Sequence, residues 1–117
     1  MMSLLTTVIP AATQTTQALQ VLQYRGITDP RELHIDDRFT WIDLIHDPPY
    51  RPWVHAFIVN DGPGPVEIGI NHPSDREVVG EGETRTVDRS GADELIMSIF
   101  FICPPGETAL VKVTGEY

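Results

Sequence analysis

Residues 53–71 read WVHAFIVNDGPGPVEIGIN, and this stretch decides the fold class. In its last part Val66, Ile68 and Ile70 stand at alternate positions, which predicts the buried face of a strand, because successive side chains of a strand point to opposite faces. Its first part, 53–60, is apolar at nearly every position, which predicts a central strand covered on both faces. The Gly- and Pro-rich residues DGPGP between the two runs predict a hairpin loop that makes them neighbours.

The rest of the chain shows the same short alternating runs separated by turn residues. Further strands are predicted over residues 39–45, 76–79, 84–88, 94–103 and 108–114. The run 94–103, ELIMSIFFIC, is the most hydrophobic and is predicted to lie at the buried centre of a sheet. Six or seven short strands with no crossover helix between them indicate an all-β, antiparallel β-sandwich, jelly-roll-like or immunoglobulin-like, and disfavour a parallel α/β sheet.

Before residue 38 the periodicity is weak. Asp29-Pro30 predicts a turn, and Pro30 is placed to open a short helical turn through Glu32 and Leu33. We therefore divide the chain into an extended N-terminal arm, 1–25, and a single sandwich domain, 26–117. The arm carries apolar residues that it cannot bury against itself. We expect these to bind a partner: Leu4, Leu5, Val8, Ile9, Leu19 and Val21.

Composition narrows the function classes. The 117 residues carry 8 Lys and Arg against 17 Asp and Glu, a net charge of −9. Such a surface repels phosphate backbones, so nucleic acid is not an expected partner. No apolar run approaches the roughly 20 residues that cross a bilayer, and the first residues lack the basic start of a signal peptide, so no membrane partner is expected. With Cys103 as the only cysteine, no intrachain disulfide is expected.

Candidate catalytic groups are scattered. The four histidines, His34, His46, His55 and His72, match no metal-ligand spacing, although a cupin-like metal enzyme assembled from separate strands stays an alternative. The carboxylates Asp36, Asp37, Asp43 and Asp47 are better explained as turn and edge-strand residues than as an acid–base pair. Cys103 is expected to be a buried thiol. We predict no enzyme, no metal and no cofactor.

Three aromatic residues flank a proline-rich turn. Exposed rings at Trp41, Tyr50 and Trp53 would stack on a sugar, as in a carbohydrate-binding β-sandwich module. The alternative is that both tryptophans close the end of the core. In the first case we expect a glycan as ligand, and in the second a purely structural role.

The run 53–63, followed by 66–71, Gly82-Glu83-Thr84 and the ending 105–117, resembles the small β-sandwich virion proteins of tailed bacteriophages. These include the decoration or cement proteins that clamp capsomers. The resemblance covers about residues 50–117. It implies a non-enzymatic structural protein that forms homo-oligomers, assembles into a virion in the host cytoplasm, and binds the major capsid protein or neighbouring structural subunits through an extended arm and its sheet edges. It carries over no catalytic residue.

Overall fold

The structure is a computed structural model and describes residues 25–91 and 94–117. These residues form eight strands: β1 (Thr28–Ile35), β2 (Thr40–Asp43), β3 (His55–Pro63), β4 (Val66–Ile70), β5 (Arg76–Val79), β6 (Thr84–Asp88), β7 (Ser98–Ile102) and β8 (Ala109–Glu116). They build two four-stranded antiparallel sheets, a first sheet of order β1-β8-β3-β6 and a second of order β2-β7-β4-β5. The predicted all-β sandwich is confirmed. Residues 1–24 of the predicted arm lie outside the described residues.

The core lies between the two sheets, where every strand except β6 supplies at least one buried apolar residue. On β8 the buried residues are Ala109, Val111 and Val113, which confirms the predicted alternation. On β4 they are Val66 and Ile68. The predicted central position of the most hydrophobic run is also confirmed, because β7 lies between β2 and β4.

The predicted hairpin between β3 and β4 is wrong. The two strands lie in different sheets, joined only by Gly64-Pro65. The cause is Asn60, which is fully buried and whose side-chain amide donates to the carbonyl oxygens of Gly64 (2.9 Å) and of Val79 on β5 (2.8 Å). Its Oδ1 accepts from the Gly62 amide at 2.7 Å. These bonds tie the end of β3 to the second sheet, so the chain crosses over instead of turning back.

The predicted turn at Asp29-Pro30 and helical turn after it are also wrong, because both lie within the edge strand β1. Ile27 and Tyr117 exchange both backbone hydrogen bonds, at 2.9 and 3.0 Å. In an antiparallel ladder the bonded residues then alternate, so Asp29 bonds to β8 and Pro30 turns its missing N–H away from the sheet. Proline is tolerated at that outward position of an edge strand.

The prediction that both faces of β3 are covered is wrong as well. Ala56, Ile58 and Asn60 point into the sandwich and are buried, whereas the ring of Phe57 faces outward and is 40% exposed. The outer side of the first sheet is therefore a solvent surface.

Candidate functional site: the outer face of the second sheet

The outer face of the second sheet carries a group of large apolar side chains. Registers across the sheet place Trp41 on β2 beside Phe100 on β7, Phe100 beside Gly69 on β4, and Gly69 beside Arg76 on β5. In the neighbouring row Ile102, Glu67 and Val78 stand side by side on β7, β4 and β5. We call Phe39, Trp41, Val78, Phe100 and Ile102 the aromatic face.

Rings on this face contact one another and a cation. The Trp41 and Phe100 ring centroids are 6.2 Å apart with the planes tilted by 35°. The Arg76 guanidinium lies 5.3 Å from the centroid of the Phe39 ring, within cation–π range. Gly69 has no room for a side chain, because a Cβ there would meet the His72 carbonyl oxygen and come 3.4 Å from Cγ of Arg76. The loop after β4 and the Arg76 side chain therefore cover the sheet at Gly69.

Water reaches much of this apolar surface. Trp41 is 55% exposed and Val78 is 56% exposed, and Phe39 is exposed as well. Phe100 and Ile102 are half-buried. Isolated exposed apolar residues are common on proteins, whereas a contiguous group of them is a candidate interaction surface.

The outer face of the first sheet is polar by comparison. Its exposed strand residues are Thr28, Pro30, Glu32 and His34 on β1, Phe57, Asp61 and Pro63 on β3, Thr84, Thr86 and Asp88 on β6, and Lys112 and Thr114 on β8. Val59 and Leu110 are half-buried on the same face. Lys112 pairs with Asp61 at 3.3 Å, and Phe57 is the only large apolar side chain among those exposed residues. Large apolar side chains are thus more exposed on the outer face of the second sheet than on that of the first.

Charges at the aromatic face are paired. The Arg76 Nε donates to Glu67 Oε1 at 2.9 Å. At the end of β2, Asp43 accepts the backbone N–H groups of Ile45 and His46 and pairs with the His46 ring at 2.8 Å. The hydrogen bonds from His46 and from the Ile45 backbone lower the pKa of the Asp43 carboxyl. Asp43 therefore shapes the turn after β2, and the face as a whole carries little net charge.

The three residues proposed to stack on a ligand do not form one platform. Trp53 is fully buried between the sheets, with its ring against Gly115 and its Nε1 3.3 Å from Asp29 Oδ2. Its inclusion among ligand-stacking residues is therefore wrong. Trp41 lies on the aromatic face, and Tyr50 lies exposed in the loop after β2 with a φ of 62°. The expectation that tryptophans close the core holds for Trp53 and fails for Trp41.

Phe39, Val78, Phe100, Ile102 and Arg76 were not singled out from the sequence. The alternation in 39–45 already separated Phe39 and Trp41 from Ile42 and Leu44. Alternation does not say which set faces the core, however, and the structure buries Ile42 and Leu44.

The four histidines lie in different parts of the fold. His34 and His55 are on β1 and β3 of the first sheet, and His46 and His72 are in loops after β2 and β4. Within residues 25–91 and 94–117, no group of three or more His, Cys, Asp and Glu side chains is arranged to hold a metal ion.

The other candidate catalytic groups, Asp36 and Cys103, make contacts that belong to the fold. The Asp36 carboxyl accepts the Arg38 backbone N–H at 2.9 Å, a bond that lowers its pKa. Cys103 is buried as predicted, and burial raises the pKa of its thiol. The predicted partner-binding residues Leu4, Leu5, Val8, Ile9, Leu19 and Val21 lie outside the described residues.

An open depression between β5 and β6 is lined by several charged groups. Among its lining residues, His72 lies 3.4 Å and Arg89 3.5 Å from the carboxylate of Glu94. These two contacts help to lower the pKa of Glu94, together with a hydrogen bond involving Asn71, which is the largest contribution. The lining carries four carboxylates, Asp75, Glu77, Asp88 and Glu94, against Arg76 and Arg89.

Among the described residues there is no helix of the length and apolarity that a bilayer crossing requires. The sequence matches no protein-family model and no curated protein sequence.

Proposed function

We propose that this protein is a non-enzymatic structural subunit that binds neighbouring proteins of a larger assembly through its aromatic face. The observation that carries the proposal is the contrast between the two outer faces of the sandwich. One sheet presents threonines, charged side chains and the single ring of Phe57 to water, and the other presents Trp41, Phe39 and Val78.

The physical reason is the free energy of apolar surface in water. Covering such surface is favourable by about 25 cal/mol per Å² before the entropic cost of association is subtracted. The centres of protein interfaces are enriched in aromatic side chains and arginine. The aromatic face has this composition, with Trp41 and Phe100 in contact and Arg76 held by Glu67.

The setting that we propose is a virion, with this protein as a capsid decoration or cement protein, or another head or tail accessory protein. Its partners would be the major capsid protein or neighbouring structural subunits, including copies of itself. Support comes from the resemblance of residues 50–117 to small β-sandwich virion proteins and from the all-β fold.

We expect Trp41→Asp to reduce incorporation into the assembly at least tenfold, because a buried interface tryptophan contributes about 2 kcal/mol or more to binding. The measurement is the amount of this chain in large particles purified from its source by density gradient. The matched control is Phe57→Asp, which places the same charge on the polar outer face and should be incorporated within about twofold of the unsubstituted protein. Absence of the unsubstituted chain from particles, or equal incorporation of both variants, would contradict the proposal.

A second candidate is glycan binding, which the exposure of Trp41 on an open sheet face favours. Stacking of a sugar on the indole would shift tryptophan emission to shorter wavelength. Titration with soluble glucans, mannans and galactans tests it, with Trp41→Phe as the control that removes the reporter. A saturable emission shift that is present in the unsubstituted protein and absent in Trp41→Phe would place the sugar at Trp41 and favour a carbohydrate-binding module over the assembly subunit.

A further inference from the structure

One side of the sandwich is formed by two edge strands, β6 of the first sheet and β5 of the second. Arg85 on β6 and Glu77 on β5 join these edges, because the Arg85 Nε donates to Glu77 Oε1 at 2.8 Å. An edge strand presents backbone N–H and C=O groups to which a strand of another chain adds readily. Both sheets could therefore be extended by another chain on this side, unless something prevents it.

The backbone of Val78 on β5 points away from the second sheet. The Asn71 N–H donates to the Ser98 carbonyl oxygen at 2.8 Å, in register with the pairing of β4 and β7. Because bonded residues alternate along an antiparallel ladder, Ile68 bonds to β5 opposite Glu77, and Val78 directs its N–H and C=O outward. A strand added to the second sheet at β5 would therefore donate to the Val78 carbonyl oxygen.

The same alternation determines which residues of β6 point outward. The Arg89 N–H donates to the Val54 carbonyl oxygen at 2.8 Å, in register with the pairing of β3 and β6. Arg85 then bonds to β3, whereas Thr84 and Thr86 direct their N–H and C=O away from the first sheet. A strand added to the first sheet at β6 would therefore pair with Thr84 and Thr86.

The Arg85 guanidinium occupies an outward carbonyl oxygen on each of the two edge strands. Its Nη2 donates to the Val78 carbonyl oxygen at 2.9 Å, and its Nη1 donates to the Thr84 carbonyl oxygen, also at 2.9 Å. The bond from Nε to Glu77 holds the guanidinium in this position. A charged side chain that points inward from an edge strand is a known means of preventing edge-to-edge pairing.

We infer that Arg85 closes the β5–β6 side of the sandwich to strand addition, so that no neighbouring chain extends either sheet on this side. A strand of another chain adds here only after the guanidinium has left both carbonyl oxygens. The inference goes beyond the proposed function, because it holds whether or not the aromatic face binds a neighbour. It also removes β5 and β6 from the sheet edges that the resemblance implies as binding sites.

The test measures amide hydrogen exchange and particle mass for the full-length chain and for Arg85→Ala. In the unsubstituted protein we expect the outward amides of Val78 and Thr86 to exchange rapidly at any concentration. In Arg85→Ala we expect the mass from light scattering to rise with concentration, and exchange of these two amides to slow at least tenfold. Arg38→Ala is the matched control, because it removes the same charge from a loop pair with Asp36, and it should behave as the unsubstituted protein.

Slow exchange of Val78 and Thr86 in the unsubstituted protein would overturn the inference, because these edges would already be paired. Rapid exchange in concentrated Arg85→Ala would overturn it as well, and so would an equal rise in mass for Arg38→Ala. If circular dichroism shows that Arg85→Ala is unfolded, Arg85→Gln takes its place with the same expected results, since it also removes the guanidinium. Incorporation of Trp41→Asp into particles tests the proposed function separately.

Discussion

Gly115→Ala is expected to destabilise the protein by about 4 kcal/mol or more, which is a large part of the about 5–15 kcal/mol that stabilises a typical domain. Gly115 lies on β8, between its partners Asp29 on β1 and Ala56 on β3. A Cβ at this position would overlap the six-membered ring of Trp53.

The Trp53 side chain is fully buried and is held by several contacts. Its backbone pairs with Ile96 in an isolated bridge, and the Arg31 guanidinium lies 5.5 Å from its ring centroid. Arg31 is in turn held by Asp29 at 2.8 Å and donates to the Pro48 carbonyl oxygen at 2.9 Å. An added methyl group must therefore displace backbone, the costly form of overpacking.

Urea denaturation followed by circular dichroism measures the effect. Gly82→Ala is the matched control: Gly82 has a φ of 78° with no atom within 4 Å of an added Cβ. Gly82→Ala should reduce the free energy of unfolding by only about 1 kcal/mol, which is the cost of holding alanine in a left-handed backbone conformation. In a Trp53→Phe background, where the ring is smaller, the Gly115→Ala penalty should shrink by about 1–2 kcal/mol. Equal penalties for the two glycines would show that Trp53 does not pack on Gly115.

Asn60→Ala is expected to cost about 3 kcal/mol or more. The substitution leaves the carbonyl oxygens of Gly64 and Val79 and the amide of Gly62 without their partner in a fully buried site. Each buried polar group left unpaired costs about 1–3 kcal/mol. The neighbouring Asp61→Ala is the control, because its pair with Lys112 is exposed and should contribute less than about 1 kcal/mol. A loss for Asn60→Ala no larger than for Asp61→Ala would contradict the crossover geometry.

In Asn60→Asp the stability of the folded protein should increase as the pH falls, whereas acid lowers the stability of the unsubstituted protein. A buried carboxylate facing two carbonyl oxygens has a raised pKa, and only the protonated form has a hydrogen to donate. Stability of the variant should therefore rise as the pH falls from 8 towards 5. A variant whose stability stays flat over this range would contradict the assignment of the Asn60 amide as the donor.

In the unsubstituted protein, hydrogen bonds and charges lower the pKa of four carboxyls, Asp36, Asp43, Asp88 and Glu94, below their ordinary values of 3.8 and 4.5. A lowered folded-state pKa gives stability that is present above the ordinary value and is lost as the pH falls through the folded value. Its stability should thus stay level down to about pH 5 and fall below about pH 4.

Several strands of this protein were predictable from the sequence because the pattern that identifies each of them lies within the strand itself. Ala109, Val111 and Val113 alternate with Leu110 and polar residues, and this period of two is enough to identify β8 and its buried face. The same holds for Val66 and Ile68 of β4, and the absence of any long 3.6-residue period determined the all-β class. The burial of Cys103 follows from the apolar run before it.

Strand partners were not predictable, because they depend on contacts distant in sequence. The glycines and prolines of 61–65 suit a hairpin and a crossover equally well, and the buried bond from Asn60 to Val79, 19 residues away, selects the crossover. Asp29-Pro30 has the composition of a turn, yet the pairing of β1 with β8 makes Pro30 an edge residue.

The same distinction applies to the aromatic face: one part of it follows from the pattern within a strand, and the other from the packing of the sheets. By itself the sequence determined that Phe39 and Trp41 share one side of a strand and Ile42 and Leu44 the other. Tertiary structure decided which side meets water, and it assigned Trp53 to the core and Trp41 to the surface. The physical reason is that alternation is a property of one backbone segment, whereas burial depends on which sheet packs against that segment, and this packing brings together strands far apart in the chain.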